Sequence, residues 1–193
     1  MPAQKSIAKD TVTAGVATFP KSSDSAKAGG VYTVVCTGPD GQVKWEDSFH
    51  NLVMNEGLQD MNAKYFKSVG YTSVFYIGLI TGPGSGNTYA AGDSLSSHAG
   101  WTEFTDYVGG TRGTVTFGTA TDADPSVINN VALPNAFSIS GVVGSANVAG
   151  AFLATTTDDS GVLFSAGDFT VGDKLVSDGD VLTVTYQFSL AAA

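Results

Sequence analysis

The sequence predicts an all-β protein: a β-sandwich or jelly-roll-like domain over 31–193 with one short helix, preceded by an extended N-terminal arm over 1–30. Three observations carry this. Apolar residues alternate with period two in several short runs, as in half-buried strands. Gly–Asp and Asp–Gly pairs punctuate those runs, at Asp40-Gly41, Gly167-Asp168, Gly172-Asp173 and Asp178-Gly179. Only one stretch, between Asn51 and Lys67, has helical spacing. Many short strands with regular turns indicate two packed sheets.

Taken in order, the first thirty residues are rich in Ala, Ser, Thr, Lys and Gly, with Phe19 as their only aromatic. Lys5, Lys9, Lys21 and Lys27 outnumber Asp10 and Asp24 there, and the segment is too polar for a core. The β-branched run Val31–Cys36 reads as the first strand. Gly38-Pro39-Asp40-Gly41 then suits a tight turn, and Gln42–Trp45 reads as the return strand of a hairpin. In the helix, Asn51 or Asn55 is expected to cap and Glu56 suits the positive end. Leu58, Met61 and Tyr65, with Leu52 and Phe66, form its apolar face. Gly57 weakens that helix by up to about 1 kcal/mol.

After Gly70 everything reads as β. Val74–Thr81 is a continuous apolar run, suited to a strand buried on both faces. Further strands are expected at 114–117, 136–140, 148–155, 162–165 and 182–188, with long loops at 82–100 and 120–135. No internal repeat of fixed period occurs.

Composition excludes several function classes. Charged residues are only 14% of 193, so Ser, Thr, Asn and Gly must cover much of the surface. The net charge is −9, and Arg112 is the only arginine, which argues against a nucleic-acid surface. The acidity is uneven: residues 68–193 hold eleven acidic and two basic side chains. A single cysteine, Cys36, excludes an internal disulfide and a Cys-based zinc site. The longest apolar run is too short for a bilayer helix. No apolar stretch follows the N-terminal lysine, so synthesis and folding in the cytoplasm are expected.

Gly92-Asp93-Ser94-Leu95 matches a serine-hydrolase signature, but that chemistry needs a late histidine base, and only His50 and His98 exist. His98, Asp93, Glu103 and Asp106 are near in sequence, yet a lone imidazole in a Ser-Ser-His-Ala-Gly loop suits a backbone hydrogen bond better than a metal. The aspartates at 158, 159, 168, 173, 178 and 180 suit turn corners, a weak calcium site being the alternative. Gly82–Gly86 lacks the lysine of a phosphate-binding loop. Trp45, Trp101, Tyr71, Tyr89 and Tyr107 are candidates for a sugar-binding face, with core packing as the favoured reading. Arg112 is expected to pair with Glu103 or Asp106. No catalytic, cofactor-binding or metal residue is assigned.

An ordered set of motifs remains. Asn51-Leu52-Val53-Met54-Asn55-Glu56-Gly57-Leu58 comes first, then Phe75-Tyr76-Ile77-Gly78-Leu79-Ile80, then Ser97-His98-Ala99-Gly100-Trp101-Thr102-Glu103 and Arg112. Gly150-Ala151-Phe152-Leu153, Gly161-Val162-Leu163-Phe164-Ser165 and Gly179-Asp180-Val181-Leu182-Thr183-Val184 follow. From about Phe49 to Phe188 this succession resembles small virion proteins of tailed bacteriophages, of the capsid decoration or cement type. The resemblance implies a non-enzymatic protein on the capsid exterior, synthesised in the host cytoplasm, with the major capsid protein and further copies of itself (dimer or trimer) as partners. It implies no cofactor, no nucleic acid and no membrane. The first forty-eight residues lie outside it, so it assigns the arm no role. On physical grounds the arm is expected to order only on assembly, its basic excess meeting acidic patches of a neighbour. Interface residues are expected in the arm and the two long loops. The alternative function is a tail- or fibre-associated module that binds a receptor carbohydrate.

Overall fold

The computed structural model describes residues 26–67, 70–71, 74–82 and 87–192. Its elements run β1 (Ala26–Thr37), β2 (Val43–His50), β3 (Leu52–Val53), α1 (Asn55–Phe66), β4 (Phe75–Thr81), β5 (Glu103–Phe104), β6 (Gly113–Val115), β7 (Ser126–Asn129), β8 (Asn135–Ser138), β9 (Ala146–Ala154), β10 (Leu163–Asp168), β11 (Lys174–Val176) and β12 (Val181–Ala192). They form two antiparallel sheets packed as an all-β sandwich.

The spine of the first sheet is β1 paired along its whole length with β12, from Ala26↔Ala192 to Thr37↔Val181. Burial alternates on both strands as a period of two requires. Tyr32, Val34 and Cys36 point inward beside Tyr186, Val184 and Leu182. β2 returns along β1 from the 38–42 turn, where Gly41 adopts a φ of 78° that other residues resist. The far edge of β12 is shared: β8 pairs with Val181–Val184 and β7 with Gln187–Leu190. At the changeover a side chain continues the ladder. Asn130 Oδ1 accepts the Tyr186 N–H at 2.7 Å, and its Nδ2 donates to Asn135 Oδ1 at 3.0 Å.

The second sheet has the order β3-β10-β9-β4-β5, with β11 also on β9 and β6 also on β4. β4 and β9 are buried on both faces. Ile77, Leu79 and Leu153 face the first sheet, while Ile80 and Phe152 face a second, smaller core with Met54, Leu95 and Trp101.

Four expectations need adjusting. The first strand starts at Ala26, so Ala26–Gly30 belong to the sheet and not to an arm, because their backbone pairs with 188–192. Residues 1–25 and 83–86 lie outside the described residues. The segment from Asn87 to Trp101 is no free loop, since Leu95 and Trp101 are buried beneath it against the second sheet. The 120–135 region contains β7, and β3, β5 and β11 are too short for periodicity to reveal.

The helix departs most. Met54, not Asn51 or Asn55, sits at the N-cap, without a side-chain cap. Asn51 instead donates to the Tyr186 hydroxyl at 3.1 Å. The apolar face that the spacing indicates is largely uncovered, with Tyr65 77% and Phe66 75% exposed. Gly57 is the buried helical residue, because α1 docks by its backbone: a Cβ there would lie 2.6 Å from the Phe164 carbonyl oxygen.

Candidate functional site

The polar candidates are each engaged in holding the fold. Ser94 Oγ meets Ser96 Oγ at 3.3 Å. His98 stacks on Trp101 with centroids 3.9 Å apart, and its Nδ1 lies 3.1 Å from the Trp101 carbonyl oxygen. No hydrogen bond among the described residues joins that serine to an imidazole, so the nucleophile and base of a hydrolase are not brought together. Asp93 caps the Ala90 amide at 3.1 Å, Glu103 faces Arg112, and Asp106 uses its carbonyl to bind the Ser140 amide. Among the described residues no three His, Cys, Asp or Glu side chains converge as metal ligands would.

The aspartates disperse in the same way. Asp158 caps Ser160, and the hydrogen bonds to that serine hold its carboxyl below the usual range. Asp159 pairs with Arg112, while Asp168 accepts from Asn87 and from the Tyr89 hydroxyl. Asp178 accepts the Gly141 amide at 2.8 Å, and Asp180 binds Lys44 Nζ at 2.6 Å and the Ser177 amide at 2.8 Å. Cys36 is buried beside Asp180, and burial, aided by that carboxylate, pushes its thiol up to about 11.

Arg112 pairs with Glu103, as the sequence indicates, and with Asp159 in place of Asp106. It is 5% exposed and forks onto both Glu103 oxygens, with Nη2–Oε2 at 2.8 Å. It also donates to the carbonyls of Thr156 and Asp158 and lies 5.0 Å over the Phe152 ring. These bonds clip the 155–161 turn to β5, and the ion pairs hold the guanidinium charged against the burial that opposes it.

The five aromatic candidates do not share a face. Trp101 and Tyr107 are buried, Trp45 donates Nε1 to the Leu175 carbonyl, Tyr89 is half-buried on Asp168, and Tyr71 is exposed. They act mostly as core.

Exposed apolar side chains gather at the two ends of the sandwich, apart from Val131 and Leu133 between β7 and β8 and Val171 between β10 and β11. The end that carries the β1–β2 turn is pinned. Asp178 holds Gly141, Asp180 holds Lys44, Ile139 N–H donates to the Asp180 carbonyl at 2.7 Å, and Val108 N–H donates to the Ser138 carbonyl at 2.8 Å. On these fixed turns, and on β2 and β11 beside them, Val43, Val108, Val143 and Leu175 are all more than half exposed. Sequence reading missed this set because its members come from four separate segments with no common motif. The opposite end carries α1, Ala26 and the close of β12, and exposes Tyr65, Phe66 and Tyr71. Compared with known proteins, the chain matches no family model, no curated protein and no solved structure.

Proposed function

We propose that this is a non-enzymatic virion structural protein that binds and stabilises the outer surface of a phage capsid, as a dimer or trimer of the decoration type. The major capsid protein is its partner, and synthesis in the host cytoplasm precedes docking on the capsid exterior. One observation carries the reading: two exposed valines, Val108 and Val143, stand on hydrogen-bonded turns, with exposed Val43 and Leu175 on the strand ends beside them. Rigid apolar groups on a polar surface lose little entropy on docking, and such contacts supply affinity without a cleft. The ordered motifs between Phe49 and Phe188 supply the class of partner.

The test is copy number with a mutant beside it. Quantitative mass spectrometry of purified particles should find on the order of hundreds of copies, as a symmetric shell requires. Val108→Asp with Val143→Asp should lower occupancy on particles at least tenfold while the free protein keeps its fold. A few dozen copies or fewer would overturn the cement role in favour of a tail module. Full occupancy by the double variant would remove this end as the contact.

A further inference from the structure

The opposite end of the sandwich has its own unfilled surface. A groove of about 470 Å³ runs beside α1, walled by Ala26, Met61, Tyr65, Phe66, Tyr71 and Leu190. Met61 also lines a second apolar cavity of about 200 Å³, between Phe75, Phe117, Phe164 and Phe188. Met61 is thus common to the groove and to the cavity at the end of the core. Tyr65, Phe66 and Tyr71 are each at least three-quarters exposed. Three such aromatics leave roughly 450 Å² in water, as much as the largest apolar patch on an ordinary monomer.

We propose that this groove is covered by the leader of the same chain, with the stretch Ala14-Gly15-Val16-Ala17-Thr18-Phe19-Pro20 as its occupant. Three facts point there. The chain enters the described structure at Ala26, which is itself a wall of the groove, and twenty-five residues precede it. Between Asp10 and Lys21 the leader carries no charge, and its only aromatic, Phe19, falls in that run. The reach is sufficient: the seven residues from Phe19 to Ala26 span up to about 24 Å, and α1, at twelve residues, is about 18 Å long.

Area argues against a second copy as the occupant. A stable interface buries about 800 Å² per partner, well above what this patch offers. A tethered segment needs less, because its effective concentration is already about millimolar. The proposal is independent of capsid binding. It also revises the expectation that residues 1–30 order only on assembly, since it seats the apolar part of the leader on its own domain before any partner arrives.

Disulfide trapping in the full chain tests it. Thr18→Cys combined with Asn62→Cys, on the groove wall, should oxidise to an intramolecular cross-link at a rate independent of protein concentration. Thr18→Cys with Val143→Cys is the control. β1, twelve residues long, spans about 40 Å from the groove end to the turn end, whereas the eight residues from Thr18 to Ala26 reach about 26 Å. Native Cys36 is buried and does not compete. A second measurement leaves the domain untouched: Phe19→Asp should raise the fluorescence of an added apolar dye severalfold and speed amide exchange across 58–66. A covalent dimer that grows with concentration would overturn the proposal, as would equal cross-linking of the control pair. So would an absent cross-link with unchanged dye binding.

Discussion

Replacing Gly57 by alanine sets two effects against each other. In a helix interior Ala is favoured over Gly by about 1 kcal/mol. On a solvent-facing helix that gain would dominate. Here the new methyl would lie 2.6 Å from the Phe164 carbonyl oxygen, 3.1 Å from its Cα and 3.2 Å from its carbonyl carbon. All three are backbone atoms of β10, so no rotamer change relieves the contact. Over-packing of this kind costs about 1–3 kcal/mol. Moving α1 away strains the Met54 N–H to Phe164 carbonyl bond of 3.0 Å and the bond from the Leu163 amide to the Glu56 carboxylate. Losing one such bond adds about 0.5–1.5 kcal/mol. The net expectation is a loss of about 1–3 kcal/mol. Urea unfolding followed by Trp45 and Trp101 fluorescence reads it as a midpoint lower by roughly 0.5–1.5 M, at a slope of about 2 kcal/mol/M. An unchanged or higher midpoint would refute the claim that α1 is seated by backbone contact.

Further outcomes follow from the buried polar groups. Arg112→Ala should cost about 2–4 kcal/mol in the same assay, because Glu103 and the carbonyls of 156 and 158 lose their donor. Arg112→Lys should recover less than half of that, since one ammonium cannot fork onto Glu103 and reach the 155–161 turn. Asn130→Ala leaves the Tyr186 amide without its acceptor and should cost about 1–3 kcal/mol, read as a lower urea midpoint. The Cys36 thiol should resist an aromatic disulfide reagent at pH 8 in the native state and react at once in urea, because burial keeps it protonated. Burial raises the phenols of Tyr32, Tyr107 and Tyr186, and burial with Asp168 raises that of Tyr89. A raised folded value stabilises the protein fully below the unfolded value near 10, and that contribution is lost as pH rises above it. Absorbance at 295 nm should therefore show these four phenols ionising together with unfolding above about pH 10.

Where local pattern and tertiary packing agree, the sequence was legible. Val31–Cys36 is legible from its β-branched residues and Leu182–Phe188 from its period of two, since one face of each strand is buried, and both runs lie inside longer strands, Ala26–Thr37 and Val181–Ala192. Val74–Thr81 reads as doubly buried because its apolar run is unbroken, and the two cores on either side of β4 account for that. The spacing of Leu58, Met61 and Tyr65 located the helix but misjudged its seat. Helical periodicity reports which residues share a face, not which face meets the body, and Gly57 carries no hydropathy signal. Arg112 was legible as a charge in need of a partner, and Glu103 as one candidate. Asp159 was not, because it comes from a turn forty-seven positions along that folds back to the guanidinium. The exposed valines at the turn end were invisible for the same reason, being neighbours only after both sheets have formed.

The longest-range pairing among the described strands has a consequence during synthesis. β1 leaves the ribosome well before its inner neighbour β12, with every other described strand made in between. Until Val181–Ala192 emerges, Tyr32, Val34 and Cys36 lack their permanent cover, and one side of the nascent hairpin keeps its amides and carbonyls open to whatever else is in the cell. Native folding of the first sheet thus waits for β12, so chains cut short before Val181 should clump or recruit chaperones instead of accumulating as a smaller stable body.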